Sequence, residues 1–179
     1  MRICSTKRTS QHPIRPRRPE ESRAQTLQLG YAGAEFADAF LHYSHLEHRH
    51  PATHQGLRLA IGAVAAAQAV HSFSEEGLEA RLEGLASVGL GVSSVSGILP
   101  GGGALMVAGQ SLRGVAETLL GIEQLSHRDD SREVWHGALN CAKGVTTLLP
   151  LIDHHAAGPV GLLHMGIMTA SLALDFAQL

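Results

Sequence analysis

The chain's 179 residues are 44% hydrophobic but only 4% aromatic and 17% charged, with 20 glycines. That composition excludes an ordinary disordered chain, which is poor in apolar residues and rich in charge, and it excludes a core built on aromatic rings. Two cysteines, Cys4 and Cys141, exclude a disulfide framework or a Cys-rich zinc module, and a net charge of −2 excludes nucleic-acid binding by bulk electrostatics.

Charge is unevenly spread. Arg2, Lys7, Arg8, Arg15, Arg17 and Arg18 precede the first acid, Glu20, and Pro13, Pro16 and Pro19 recur among them. Prolines at that spacing forbid a stable helix, and no apolar segment follows that would make a signal peptide. Residues 1–20 read as a disordered basic arm: a solvated tail, a secretion-type address or a tether to anionic phosphate. A basic residue near an anionic membrane contributes roughly 1 kcal/mol.

Residues 21–179 read as one all-α domain, a Gly/Ala-rich bundle built from helical hairpins. From Glu20 to His48, Leu27, Tyr31 and Ala34 share a face and Phe36, Phe40, Tyr43 and Leu46 extend an apolar stripe. Gly30 and Gly33 are predicted to break this stretch in two, and Pro51 ends it. Five helices follow. The first spans about Thr53–His71. Ser72 and Glu75 have capping-box spacing and open a second, Glu75–Leu99. Pro100, Gly101, Gly102 and Gly103 stop it, since proline cannot continue a helix and glycine accepts positive φ. The third covers Ala104–Leu125, the fourth opens at Asp130 and ends near Pro150, and the fifth covers Pro159–Gln178. No period-two run bounded by hairpin turns appears.

Glycine spacing is the most informative regularity. Gly77, Gly84 and Gly91 recur every seven residues, as do Gly114 with Gly121 and Gly137 with Gly144. Gly89, Ser93 and Gly97 add a small-xxx-small series. Each glycine costs a helix about 1 kcal/mol relative to alanine, so close helix approach is the expected return. Such a glycine-zipper pattern suits membrane helices and tight soluble bundles alike. Gly84–Val92 also echoes Gly137–Val145, which raises a hairpin repeat, 53–100 and 104–150.

Residues 84–112 carry no charge, but Pro100 and its glycines divide them. Residues 85–99 would cover roughly 22 Å as a helix, short of the ~30 Å hydrocarbon core. Arg113, Glu117 and Glu123 interrupt the next helix. The pattern fits shallow or hairpin insertion at 85–112 better than a conventional span, and a soluble bundle burying these faces is the alternative. The position of Arg113, Glu117, Glu123 and Lys143 discriminates: one exposed stripe of them favours the soluble bundle.

Histidine is abundant, at 12 residues. His42, His45 and His48 are the candidate metal ligands, the alternative being a polar helix end near the C-terminal dipole; His154, His155 and His164 form a looser group. No cofactor is implied. No nucleophile elbow occurs, and the glycines at 101–103 lack the Lys-Ser/Thr of a phosphate loop. The chain therefore reads as non-enzymatic.

One longer pattern stands out. An apolar Gly/Ser/Val helix (Leu85–Leu99) enters Pro100-Gly-Gly-Gly-Ala. A second apolar helix follows, then His127-Arg-Asp-Asp-Ser, Ala138-Leu-Asn-Cys-Ala, and the segment Met165–Ala177. Residues 85–178 in this order resemble the SseF/SseG-type membrane effectors of bacterial type III secretion systems. The resemblance implies a virulence protein injected into a host cell, with an unstructured N-terminal secretion signal and a region that associates with host membranes. The expected partners are membrane lipid, or a protein or second copy meeting the Gly-rich helices. The other function class is a soluble helical protein–protein interaction module, such as an adaptor or regulatory subunit in the cytoplasm.

Overall fold

The computed structural model describes residues 19–43, 49–126, 131–153, 155 and 157–176. These form six helices and, among the described residues, no strand: α1 Pro19–Tyr43, α2 Pro51–Ser74, α3 Leu78–Ser96, α4 Gly103–Ser126, α5 Ser131–Ile152 and α6 Ala157–Phe176. The fold is all-α. Each helix packs on the one before it, and α6 returns to α1, so the six close into a ring. The α1–α2, α3–α4 and α5–α6 connections lie at one end. The α2–α3 and α4–α5 connections lie at the other.

Most of the basic arm expected at 1–20 lies outside the described residues. Its last two residues, Pro19 and Glu20, belong to α1. Proline suits the first turn, where its missing N–H has no intrahelical partner, and Pro51 opens α2 in the same way.

Three local expectations are corrected. First, α1 runs unbroken through Gly30 and Gly33. Ala34 and Leu41 join Ile61, Ala65 and Leu90 in an apolar core between α1, α2 and α3, flanked by Tyr31, Ala37, Leu57 and Val64. That packing outweighs about 1 kcal/mol of propensity lost at each glycine. Second, Ser72 and Glu75 form no capping box. Ser72 is buried inside α2, where it accepts a hydrogen bond from Gln68 Nε2 at 3.3 Å, and Glu75 terminates that helix. The reversal is made instead by Gly77, whose φ of +125° an L side chain rarely adopts. Third, α3 ends at Ser96 and the turn begins at Gly97, short of Leu99; α5 ends at Ile152, near Pro150 as expected. Proline so near the end removes one backbone bond without dividing the helix.

The helices of the second half meet at glycines. A Cβ on Gly89 would lie 2.6 Å from the Arg113 nitrogen and 2.7 Å from the Gly109 oxygen, and one on Gly109 would lie 2.6 Å from the Ser93 nitrogen. Across α4 and α5, Gly114 faces Gly144 and Gly121 faces Gly137; a Cβ on Gly121 would sit 2.5 Å from both the Cys141 nitrogen and the Gly137 oxygen. The seven-residue pairs Gly114/Gly121 and Gly137/Gly144 thus map onto an antiparallel seam where backbone touches backbone, whereas Gly77, Gly84 and Gly91 do not.

Candidate functional site

Close seams of small residues leave little room for a large apolar core, and the interior of the ring is polar instead. Arg113 on α4 is 3% exposed, Glu117 2%, Lys143 on α5 6% and Glu35 on α1 4%. Arg113 Nη2 donates to Glu35 Oε1 at 3.3 Å, Lys143 Nζ to Glu35 Oε2 at 3.0 Å and Arg113 Nε to Glu117 Oε1 at 2.7 Å. Arg113 Nη1 reaches Asp38 Oδ2 at 3.4 Å, and Asp38 also accepts from Ser94 Oγ on α3 at 3.2 Å. Arg58 Nη1 of α2 lies 3.9 Å from Asp38, and its Nε donates to His54 Nε2 at 3.0 Å. Five helices are tied to one another by this chain of charges. On α5 and α6, Thr146 and His164 Nδ1 lie 2.7 Å apart.

The environment sorts the carboxyls. Burial pushes Glu35 up, but Lys143 and Arg113 prevail and hold it below the ordinary carboxylate range. Burial dominates at Glu117, aided by the Glu35 charge, and raises it to about 7 in spite of Arg113. Glu117 lies within hydrogen-bonding reach of Glu35. A proton on Glu117 turns that repulsion into a hydrogen bond and supplies a use for its Oε2, which otherwise has no partner. Glu83 on α3 is raised to about 7 by burial and by Glu75, Glu79 and Glu35. Burial lowers Arg113 and Lys143, yet the surrounding carboxylates outweigh it and both stay charged.

Two expectations follow. Lys143→Met leaves Glu35 with Arg113 alone and should cost up to about 3 kcal/mol in denaturant unfolding, the low end for breaking a buried ion pair. Stability should also fall with pH between about 4.5, the ordinary glutamate value, and about 7, because folded Glu83 and Glu117 keep protons that the unfolded chain has released. Glu35 acts in the opposite sense: its contribution is lost as pH falls through its lowered value. Melting temperatures across this range check the slope, which Glu117→Gln should flatten.

A cavity of about 310 Å³ sits in the ring, lined by residues from all six helices. Glu35, Glu117 and Lys143 are buried along it, while Gln28 is exposed and Gln124, His136 and Asn140 are half-buried. It lies toward the end that holds the α2–α3 and α4–α5 connections.

The outside of the α3–α4 hairpin is the reverse of the interior. Between Glu83 and Glu123 the charged residues are Arg113 and Glu117, both turned inward. Leu78, Leu85 and Val92 on α3, Leu99 in the turn that follows it, and Leu105, Leu112, Leu119 and Ile122 on α4 are exposed. Buried hydroxyls serve their own helices: Ser87, Ser93, Thr118 and Thr146 each donate to a carbonyl three or four residues back.

The small residues singled out in the sequence separate into different settings. Gly89 and Ser93 meet α4. Gly84 lies against the Phe73 ring, Gly91 against Ala65, and Gly97 against the Arg58 guanidinium, all on α2. Pro100 and Gly101 are in the turn, where Gly101 has φ +76°; a Cβ on Gly102 would strike the Ser96 carbonyl, and Gly103 has open space. The His42 side chain, His45 and His48 lie outside the described residues. Among those described, no group of three or more His, Cys, Asp and Glu is placed to hold a metal ion. His155 is exposed and His164 is buried, so that pair does not converge. Sequence reasoning missed Glu35. Its signal was an acid at a core-facing position beside Tyr31 and Ala34. No family model, curated protein or solved structure matches the chain.

Proposed function

We propose that the protein is a membrane-associated, non-enzymatic helical bundle that seats the outer face of its α3–α4 hairpin in the interfacial layer of a bilayer. The observation that carries this reading is the sidedness of that hairpin: Arg113 and Glu117 face the ring interior, and leucines and valines face out. A bundle adapted to water on this face would present those charges outward. Helices whose hydroxyls are satisfied by their own carbonyls are at home in lipid. Among the described residues no helix is long and apolar enough to cross a membrane, so the insertion proposed is one-sided. The paired interior charges serve to hold five helices together, a structural use that fits a protein without turnover. Expressed protein should remain with membranes through alkaline carbonate extraction. Wild type released wholly into the supernatant, soluble without detergent or lipid, would overturn stable integration.

A protein–protein interaction module is the second reading, and one observation favours it. Leu78, Leu85 and Val92 of α3 recur every seven residues, a register that a partner helix would read and lipid would not. The glycine seams are engaged within the chain, so such a partner would meet the leucine rows. Delivery into a host cell rests on the resemblance of residues 85–178 to SseF/SseG-type effectors; export of a reporter fused to residues 1–20 through a type III system tests it.

A further inference from the structure

The cavity's lining has a definite chemistry. Gln68 on α2 is 4% exposed; its Nε2 donates to Ser72, and its Oε1 has no partner. The Tyr31 hydroxyl on α1 likewise has no hydrogen-bond partner. With Glu117 Oε2, which lacks a partner whenever Glu117 is ionised, the unsatisfied atoms around this cavity are all oxygens. Three acids line it, Glu35, Glu83 and Glu117, against Lys143, which Glu35 already engages, and the imidazole of His136. The same end of the ring is acidic outside: among the described residues Glu75, Glu76, Glu79 and Glu133 are exposed there against Arg81. An excess of exposed carboxylates at a cavity mouth favours approach of a cation.

We propose that this cavity binds a small organic ammonium ion, whose N–H donors meet Gln68 Oε1, the Tyr31 hydroxyl and the carboxylates of Glu83 and Glu117. An ammonium group carries three donors and no acceptor, which complements a wall of unsatisfied oxygens. The volume lies at the small end of ligand pockets. Binding expels protons. Glu83 faces Glu35 of α1, Glu75 just before α3, Glu79 within α3, and Lys143 of α5; Glu117 faces Arg113, Glu35 and Lys143, and His136 stands among the cavity residues of α5. A cation favours the ionised form of both glutamates, so affinity should weaken as pH falls below about 7.

Calorimetric titration of the full chain with 1,4-diaminobutane at neutral pH tests this, with 1,4-butanediol and succinate as matched controls. Saturable binding of the diamine, absence of binding by both controls, and proton release seen as a dependence of the heat on buffer ionisation are the expected results. Glu83→Gln, at a half-buried position that tolerates the change, and Gln68→Leu should each weaken binding about tenfold or more, in keeping with a charge-assisted hydrogen bond of ~1.5–3 kcal/mol, while the circular dichroism spectrum is unchanged. No saturable heat at millimolar diamine, an equal response to butanediol, or wild-type affinity in both variants would overturn the proposal.

Discussion

Gly121→Ala should destabilise the protein, while Gly56→Ala and Gly166→Ala should stabilise it. The three substitutions are chemically identical and all fall inside helices, so propensity alone gives each a gain of about 1 kcal/mol. The surroundings reverse the sign at Gly121. There the new methyl would lie 2.5 Å from the Cys141 nitrogen, the Cys141 Sγ and the Gly137 oxygen. Two of those atoms are backbone, so relief requires α4 and α5 to move apart along the whole seam. Overpacking of this kind costs about 1–3 kcal/mol and occasionally more, and Gly121→Leu lies at or beyond the upper end. At Gly56 and Gly166 a Cβ meets nothing within 4 Å. Gly89→Leu should behave like Gly121→Leu because its neighbours are also backbone. Gly97→Leu should be milder, because it displaces only the far end of the Arg58 side chain. Thermal melts in a common buffer check the set; a gain at Gly121 would refute the backbone-contact account of the seams.

Leu105→Glu combined with Leu119→Glu should weaken membrane association and leave the fold intact. Both leucines are about half exposed, 54% and 48%, so neither holds the interior together. Moving a carboxylate to the depth of an acyl chain costs at least ~2.5 kcal/mol, less near the headgroups. Two such charges at interfacial depth, at roughly 1 kcal/mol or more each, amount to a loss of tenfold or more in partitioning. Glu76→Gln, at the opposite end of the ring, should leave association unchanged. Vesicle flotation reads the bound fraction, and circular dichroism reports whether helix content survives.

Much of the architecture was legible because helices announce themselves locally. The turn around Pro100–Gly102 and the pairs Gly114/Gly121 and Gly137/Gly144 correspond to features of the fold, while Gly77, Gly84 and Gly91 do not form a seam. The interior was harder to read. Arg113 and Glu117 stand four apart, the spacing of a solvent-exposed ion pair, and nothing local distinguishes that from a pair turned inward. What turns them inward is Glu35, 78 residues away from Arg113, together with Lys143, and such a long-range partnership leaves no periodic trace. Gly30 and Gly33 misled for a related reason: the packing of Ala34 and Leu41 against α2 and α3 decides the helix, and propensity only tilts it. Ser72 followed a capping pattern, but its side chain is 1% exposed and serves the interior of α2.

The central claim is that the outward leucines and valines of α3 and α4 contact lipid. Photolabelling of wild-type protein on vesicles with a lipid-soluble diazirine, followed by peptide mapping, tests it most directly. Label should concentrate at Leu85, Val92, Leu99, Leu105, Leu112 and Leu119, and be absent from Glu75, Glu76 and Glu79. Label spread evenly over both ends of the ring, or absent from α3 and α4, would contradict it.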